Sequence, residues 1–97
     1  MISLEFHPEA VAELIGIAKQ YERVSEKLAE RFWKQFNAAV VRLKTFPDSH
    51  PKVSRNYRWV RLRRFPYVIY FRGIEGDSDM VVAFTHQARR RYWLNRD

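Results

Sequence analysis

The run Tyr67-Val68-Ile69-Tyr70-Phe71, preceded by Pro66 and by the paired Arg63 and Arg64, constrains this chain more than any other stretch. It is too short to be a helix and is crowded with aromatic and β-branched residues, so it reads as the central strand of a sheet. Pro66 has no N–H to give a ladder and belongs at a strand's first residue, so the strand proper starts at Tyr67. A strand with one wet face alternates apolar and polar positions, and this one does not. Its pattern calls for cover on both faces, by the chain's own helices on one side and by a partner on the other.

The flanking segments supply the rest of a sheet-and-helix unit. Ile2, Leu4 and Phe6 alternate with Ser3 and Glu5, the pattern of a short half-buried strand. Pro8 suits the first turn of a helix with Glu9 near its positive end, and His7 is a helix-start residue. Val11, Leu14, Ile15, Ala18 and Tyr21 then fall at helical spacing, predicting a first helix over Pro8 to Tyr21, weakened or closely packed at Gly16. Ser25 caps a second helix with Glu26 in its first turn. That helix buries Leu28, Phe32, Phe36, Ala39, Val40 and Leu43, carries Trp33 beside the stripe, and ends before Pro47. Few residues separate the helices, so they form an antiparallel hairpin.

Pro47 to Asn56 is rich in Pro, Ser and charge and reads as a loop carrying Lys52 and Arg55, with His50 solvated. Tyr57 to Arg63 is a strand with Val60 and Leu62 on one face and Trp59, Arg61 and Arg63 on the other. Gly73 to Asp79 turns the central strand into a last strand, Met80 to Thr85. The expected order is βααβββ. This is an α+β domain, occupying 1–97, in which an antiparallel helical hairpin packs on one face of a small, mostly antiparallel sheet of about four strands.

Charge is distributed unevenly along this order. Eighteen Lys and Arg against eleven Asp and Glu give a net +7. Residues 47–97 hold eleven basic and five acidic side chains, and ten of the eleven are arginine. Lysine would serve solubility as well, whereas guanidinium is planar and bidentate, so the skew favours phosphate or carboxylate partners. There are no cysteines, which excludes disulfides and thiolate sites and fits a cytoplasmic setting. No secretory leader or long apolar run is written here, so no membrane association is expected.

The densest chemistry lies in the tail, His86 to Arg96, with one His, four Arg, Tyr92 and Trp93. Arginine with aromatics is the pairing that stacks on bases and grips phosphate. The alternative is that Trp93 folds back as a lid on the helices and the arginines keep the end soluble. His86, Arg89 and Tyr92 could in principle move a proton and hold a phosphate in RNA cleavage. The candidate catalytic residues are therefore His86, Arg89 and Tyr92, and the candidate binding residues Arg61, Arg63, Arg64, Tyr67, Arg89 and Trp93. No glycine-rich phosphate loop, HExxH, nucleophile elbow or carboxylate pair is present, so no metal and no cofactor is expected.

The segments FHPEAVAEL at Phe6 to Leu14, RFWKQFNAAVVRLKTFP at Arg31 to Pro47, RRFPYVIYF, and the H..R..YW..R ending together resemble the RelE/ParE superfamily of type II toxins. The resemblance runs nearly end to end. It implies the same βααβββ fold and a cognate small antitoxin whose C-terminal segment covers an open groove on the sheet, in a hetero-oligomer. It also implies a role of the plasmid-stabilization kind. The RelE-like branch, ribosome-dependent mRNA endoribonucleases, places an arginine where this chain has Tyr67. The sequence therefore leans to the ParE-like branch, non-enzymatic poisons of DNA gyrase. The alternative is a RelE-like, metal-independent endoribonuclease acting on ribosome-bound mRNA.

Overall fold

The computed structural model describes residues 3–54, 56–89 and 91–96; Ile2 and Arg55, named above, and one of the four tail arginines, Arg90, lie outside the described residues. The elements are β1 (Ser3–Phe6), α1 (Pro8–Val24), α2 (Glu26–Thr45), β2 (Lys52–Ser54), β3 (Tyr57–Arg61), β4 (Tyr67–Ile74) and β5 (Ser78–His86), with a 3-10 turn at Pro47–Ser49. They form one five-stranded sheet in the order β1-β5-β4-β3-β2. Every pairing is antiparallel except β1 with β5. The fold class is the expected one with one strand more. That strand, β2, lies inside the segment read as a loop. It is only three residues long with a single apolar side chain, Val53, so nothing in its periodicity marked it; pairing with β3 orders it.

The central strand starts at Tyr67, as Pro66 requires, and runs three residues further than the apolar run, to Ile74. Its partner β5 carries a bulge. Tyr70 pairs with Ala83 but Phe71 pairs with Val81, leaving Val82 as the extra residue. The consequence is that Val82 and Ala83, adjacent in sequence, both pack on one face, while Val81 and Phe84 pack on the other.

Helix α1 begins where His7 Nδ1 accepts the Glu9 N–H at 3.1 Å, and Ser25 Oγ accepts the Leu28 N–H to cap α2. The buried side of α2 is the predicted one, with Phe32, Phe36, Ala39 and Leu43 inside. The buried side of α1 is rotated from the expected stripe. Ala10, Leu14 and Ala18 are inside with Ile17 and Tyr21 packed against them, whereas Val11 and Ile15 stand 37% and 44% exposed. The rotation has a physical cause: it turns Glu13 toward β5 and the tail, where its carboxylate is fully bonded. Gly16 is not a close-packing site, since a Cβ there would meet nothing within 4 Å. His50 is half-buried rather than solvated; it bonds the Arg42 carbonyl through Nε2 at 3.2 Å and sets its ring edge-on to Phe71.

The helix hairpin covers one face of the sheet, over Val60, Leu62, Ile69, Phe71, Val81 and Phe84. On the opposite face Val68, Tyr70, Val82 and Ala83 are buried beneath Trp93, which stacks on Tyr70 at 4.3 Å between ring centroids and meets Tyr57 edge-on at 5.0 Å. Trp93 therefore folds back on the sheet and not on the helices. The second cover demanded by Tyr67–Phe71 is supplied by the chain itself at the centre of that face.

Candidate functional site

The tail is held by one carboxylate. Strand β1 pairs with β5 only as far as Val81, and beyond it the β5 edge would show a free Phe84 N–H and a free Val82 carbonyl. Glu13 Oε1 accepts the Phe84 N–H at 3.1 Å, and Arg96 Nη1 donates to the Val82 carbonyl at 2.9 Å. Arg96 grips Glu13 with both nitrogens, at 2.9 and 3.1 Å, and the Tyr92 hydroxyl donates to Glu13 Oε2. An ion pair thus takes the place of a neighbouring strand and blunts an edge that another chain could otherwise extend.

The electrostatics follow from this geometry. Burial pushes the Glu13 carboxyl up, but hydrogen bonds from Arg96, Tyr92 and the Phe84 N–H, with the Arg96 charge, outweigh it and hold Glu13 below its ordinary value. Arg96 is raised, first by its hydrogen bond to Glu13. Tyr92 is raised by burial and by the bond to Glu13. Among the described residues, ion pairs join only His7, Glu9, Glu13 and Arg96.

The three residues singled out for proton transfer are neighbours in space. The Arg89 guanidinium lies 4.2 Å from the Tyr92 ring centroid, and the Arg89 N–H closes a turn onto the His86 carbonyl. Their reactive atoms are nevertheless committed elsewhere. His86 Nδ1 accepts the Ala88 N–H at 3.0 Å, which puts the ring proton on Nε2, and the Tyr92 hydroxyl is given to Glu13. Tyr67 turns into the helix-side aromatic cluster, stacked on Phe84 and edge-on to Tyr21 and Phe32. Burial and its hydrogen bond to Tyr67 push Tyr21 up to about 12.

Of the proposed binding residues, Arg61, Arg63, Arg64 and Arg89 are exposed, and Trp93 is fully buried, so Trp93 can act only by holding the tail in place. Arg61 lies over Trp59 at 4.9 Å, the arginine–aromatic pairing expected for that face. Arg63 and Arg64 sit in the β3–β4 connection, where Arg64 adopts a left-handed φ of 67°. Glu13 went unrecognised in the sequence. It is one acid among several in α1 and α2, and its role depends on a strand 71 residues away. Among the described residues no group of His, Asp and Glu could hold a metal ion, and no helix is long and apolar enough to cross a membrane.

No curated protein matches the chain. A solved structure from the chromosomal ParDE toxin–antitoxin system of P. aeruginosa superposes with a TM-score of 0.73 at 21% identity, covering 89% of this chain and 96% of that one. The likeness is one of fold. The family model for the ParE toxin of the type II toxin–antitoxin system parDE matches residues 4–91, which takes in both helices, β2 to β5, all but the first residue of β1 and the start of the tail. The chain belongs to the ParE toxin family of type II toxin–antitoxin systems.

Proposed function

We propose that this toxin arrests growth by binding and poisoning DNA gyrase in the cytoplasm, without catalysis of its own, and that a cognate small antitoxin neutralises it in a hetero-oligomer. The observation that carries the non-catalytic part is the commitment of the would-be catalytic atoms. A general base needs a free lone pair and a phosphate clamp needs a converging cation. His86 Nδ1 and the Tyr92 hydroxyl are both engaged, and the central strand offers Tyr67, packed inward, in place of an arginine. The exposed Arg61, Arg63, Arg64 and Arg89 remain for contact with an acidic antitoxin segment or with the target. Because Trp93 already covers the centre of the free sheet face, the antitoxin's place is the arginine-bearing rim rather than the strand beneath.

The test sets gyrase supercoiling beside ribosome-programmed mRNA cleavage, for the wild-type chain and for His86→Gln and Arg61→Ala. Inhibition of supercoiling, weakened by Arg61→Ala and nearly unchanged by His86→Gln, is the expected result. A binding arginine of this kind contributes about 1 to 3 kcal/mol. Cleavage of translated mRNA that disappears in the His86 variant would establish the endoribonuclease reading instead.

A further inference from the structure

A second concentration of positive charge lies outside the tail. A groove of roughly 610 Å³ runs between α2 and the β3–β4 connection, with Arg31, Lys34 and Gln35 on one wall and Arg63, Arg64 and Phe65 on the other. No acidic side chain lines it, and none of its four cations takes part in an ion pair among the described residues. The charge continues beyond the groove, because Arg42, held below its usual range by burial and by the nearby Arg63, is fixed on the Arg61 carbonyl at 2.6 Å. Across α2 the contrast is clear. The neighbouring depression, roughly 990 Å³, is lined by Glu22, Glu26 and Glu30 with Lys34 as its single cation. Lys34 lines both depressions, and Glu30 shares a third with Lys27, Arg31 and Lys34, so the cationic flank of α2 is the acid-free side that faces Arg63 and Arg64.

Two details indicate what the cationic flank fits. Arg64 holds a φ of 67°, a conformation that Gly or Asn adopts readily and that a long side chain tolerates at a cost, so the turn keeps a guanidinium against local preference. Phe65 is packed edge-on against Tyr21 and Phe32, and Trp59 lies beneath Arg61, so the groove presents cations without a bare aromatic platform for unstacked bases. We propose that this groove grips the phosphate backbone of duplex DNA, with Arg31, Lys34, Arg63 and Arg64 as the contacting cations. Contacts of this type position a protein on DNA and carry no sequence preference. The proposal goes beyond the gyrase reading and is measured without any partner protein, so either can fail alone.

The experiment is fluorescence anisotropy of a labelled 20-base-pair duplex titrated with the purified chain across a salt series. Four phosphate contacts give a slope of log K against log salt of about −3.6, a loss of roughly a hundredfold in affinity between 50 and 200 mM. The double variant Arg31→Gln/Arg63→Gln should lower that slope by about 2. The charge-matched double variant Lys19→Gln/Arg23→Gln, on exposed positions of α1, should leave it nearly unchanged. Circular dichroism melts establish that both variants fold, and Arg31→Lys/Arg63→Lys should keep the slope if either Gln variant does not. Equal losses in the two Gln doubles would reduce the effect to diffuse net charge and overturn the site. Tighter binding of the single strand, or displacement of the duplex by a polyglutamate peptide at lower charge concentration, would overturn the assignment to duplex DNA.

Discussion

The two faces of the sheet are buried by opposite strategies. On the helix side, seven buried residues of α1 and α2, among them Phe32 and Phe36, interlock with five from β3, β4 and β5 and with Leu62 just beyond β3. On the other side, Val68, Tyr70, Val82 and Ala83 lie under Trp93, carried by a segment without regular secondary structure, with the half-buried Val53, Tyr57, Trp59 and Met80 of the sheet packed around them. That segment is fastened by Glu13, Tyr92 and Arg96 and by the Tyr57 hydroxyl on the Leu94 carbonyl at 3.2 Å. Cover distributed over two helices can be lost only by unfolding the molecule. Cover whose one fully buried side chain from outside the sheet is held by one latch can open locally while the sheet survives.

Variants sharpen the contrast, and the largest effect belongs to the helix face. Phe32→Ala removes a fully buried ring that meets Tyr21, Trp33, Phe65, Tyr67 and Phe84, and should cost about 3 to 5 kcal/mol in urea unfolding. Trp33→Ala, at a half-buried position, should cost less. Trp93→Ala removes an equally buried side chain, yet its cost should stop at about 3 kcal/mol or below, because the tail can release instead of strain the sheet. Hydrogen exchange should then show residues 87–96 opening while β3 and β4 stay protected. Global unfolding of the Trp93 variant at the midpoint of Phe32→Ala would erase the distinction between the faces.

The latch adds a pH dependence that the helix face lacks. A carboxyl whose folded pKa is depressed contributes stability that is fully present above its unfolded pKa and is lost as pH falls through the folded value. Glu13 is such a group, so tail docking should be constant above pH of about 5 and weaken as the pH drops below the ordinary glutamate range near 4.3. Glu13→Gln should cost about 1.5 to 3 kcal/mol, the range for a hydrogen bond to a charged group, and should remove this part of the acid response. Tail-specific exchange measured at pH 7 and pH 3.5 checks both, and an identical acid response in the Gln variant would assign the dependence to other carboxylates.

Legibility in the sequence divided along the same line. The helix face could be read because its information is local: Ser25 as a cap, the spacing from Phe32 to Leu43 and Pro66 before Tyr67 each specify structure within a few residues. The stripe on α1 was misplaced because Val11 and Ile15 have helical spacing too, and only the demand of Glu13 for β5 decides between two neighbouring faces. The latch joins residues 79 and 83 apart, Tyr92 and Arg96 to Glu13, and no periodicity encodes such a pairing. Trp93, an aromatic among arginines, reads equally as a contact and as a lid on the helices; it is a lid, but on the sheet, a choice that no local pattern specifies.

The smallest expected effect bears on why an indole holds this position. Among the described residues the Trp93 Nε1–H is buried without an acceptor. A buried unsatisfied donor costs about 1 to 3 kcal/mol, so the tail docks against a standing penalty that no residue of the helix-side cluster carries. Trp93→Phe keeps an aromatic ring over Tyr70 and deletes the donor, while leaving a small void where the second ring stood. The two changes oppose each other, and the net effect on stability should lie within about 1 kcal/mol of zero. A loss as large as that of Trp93→Ala, with the tail exchanging as freely, would mean that the full indole volume holds the tail and that the unpaired N–H carries no appreciable penalty.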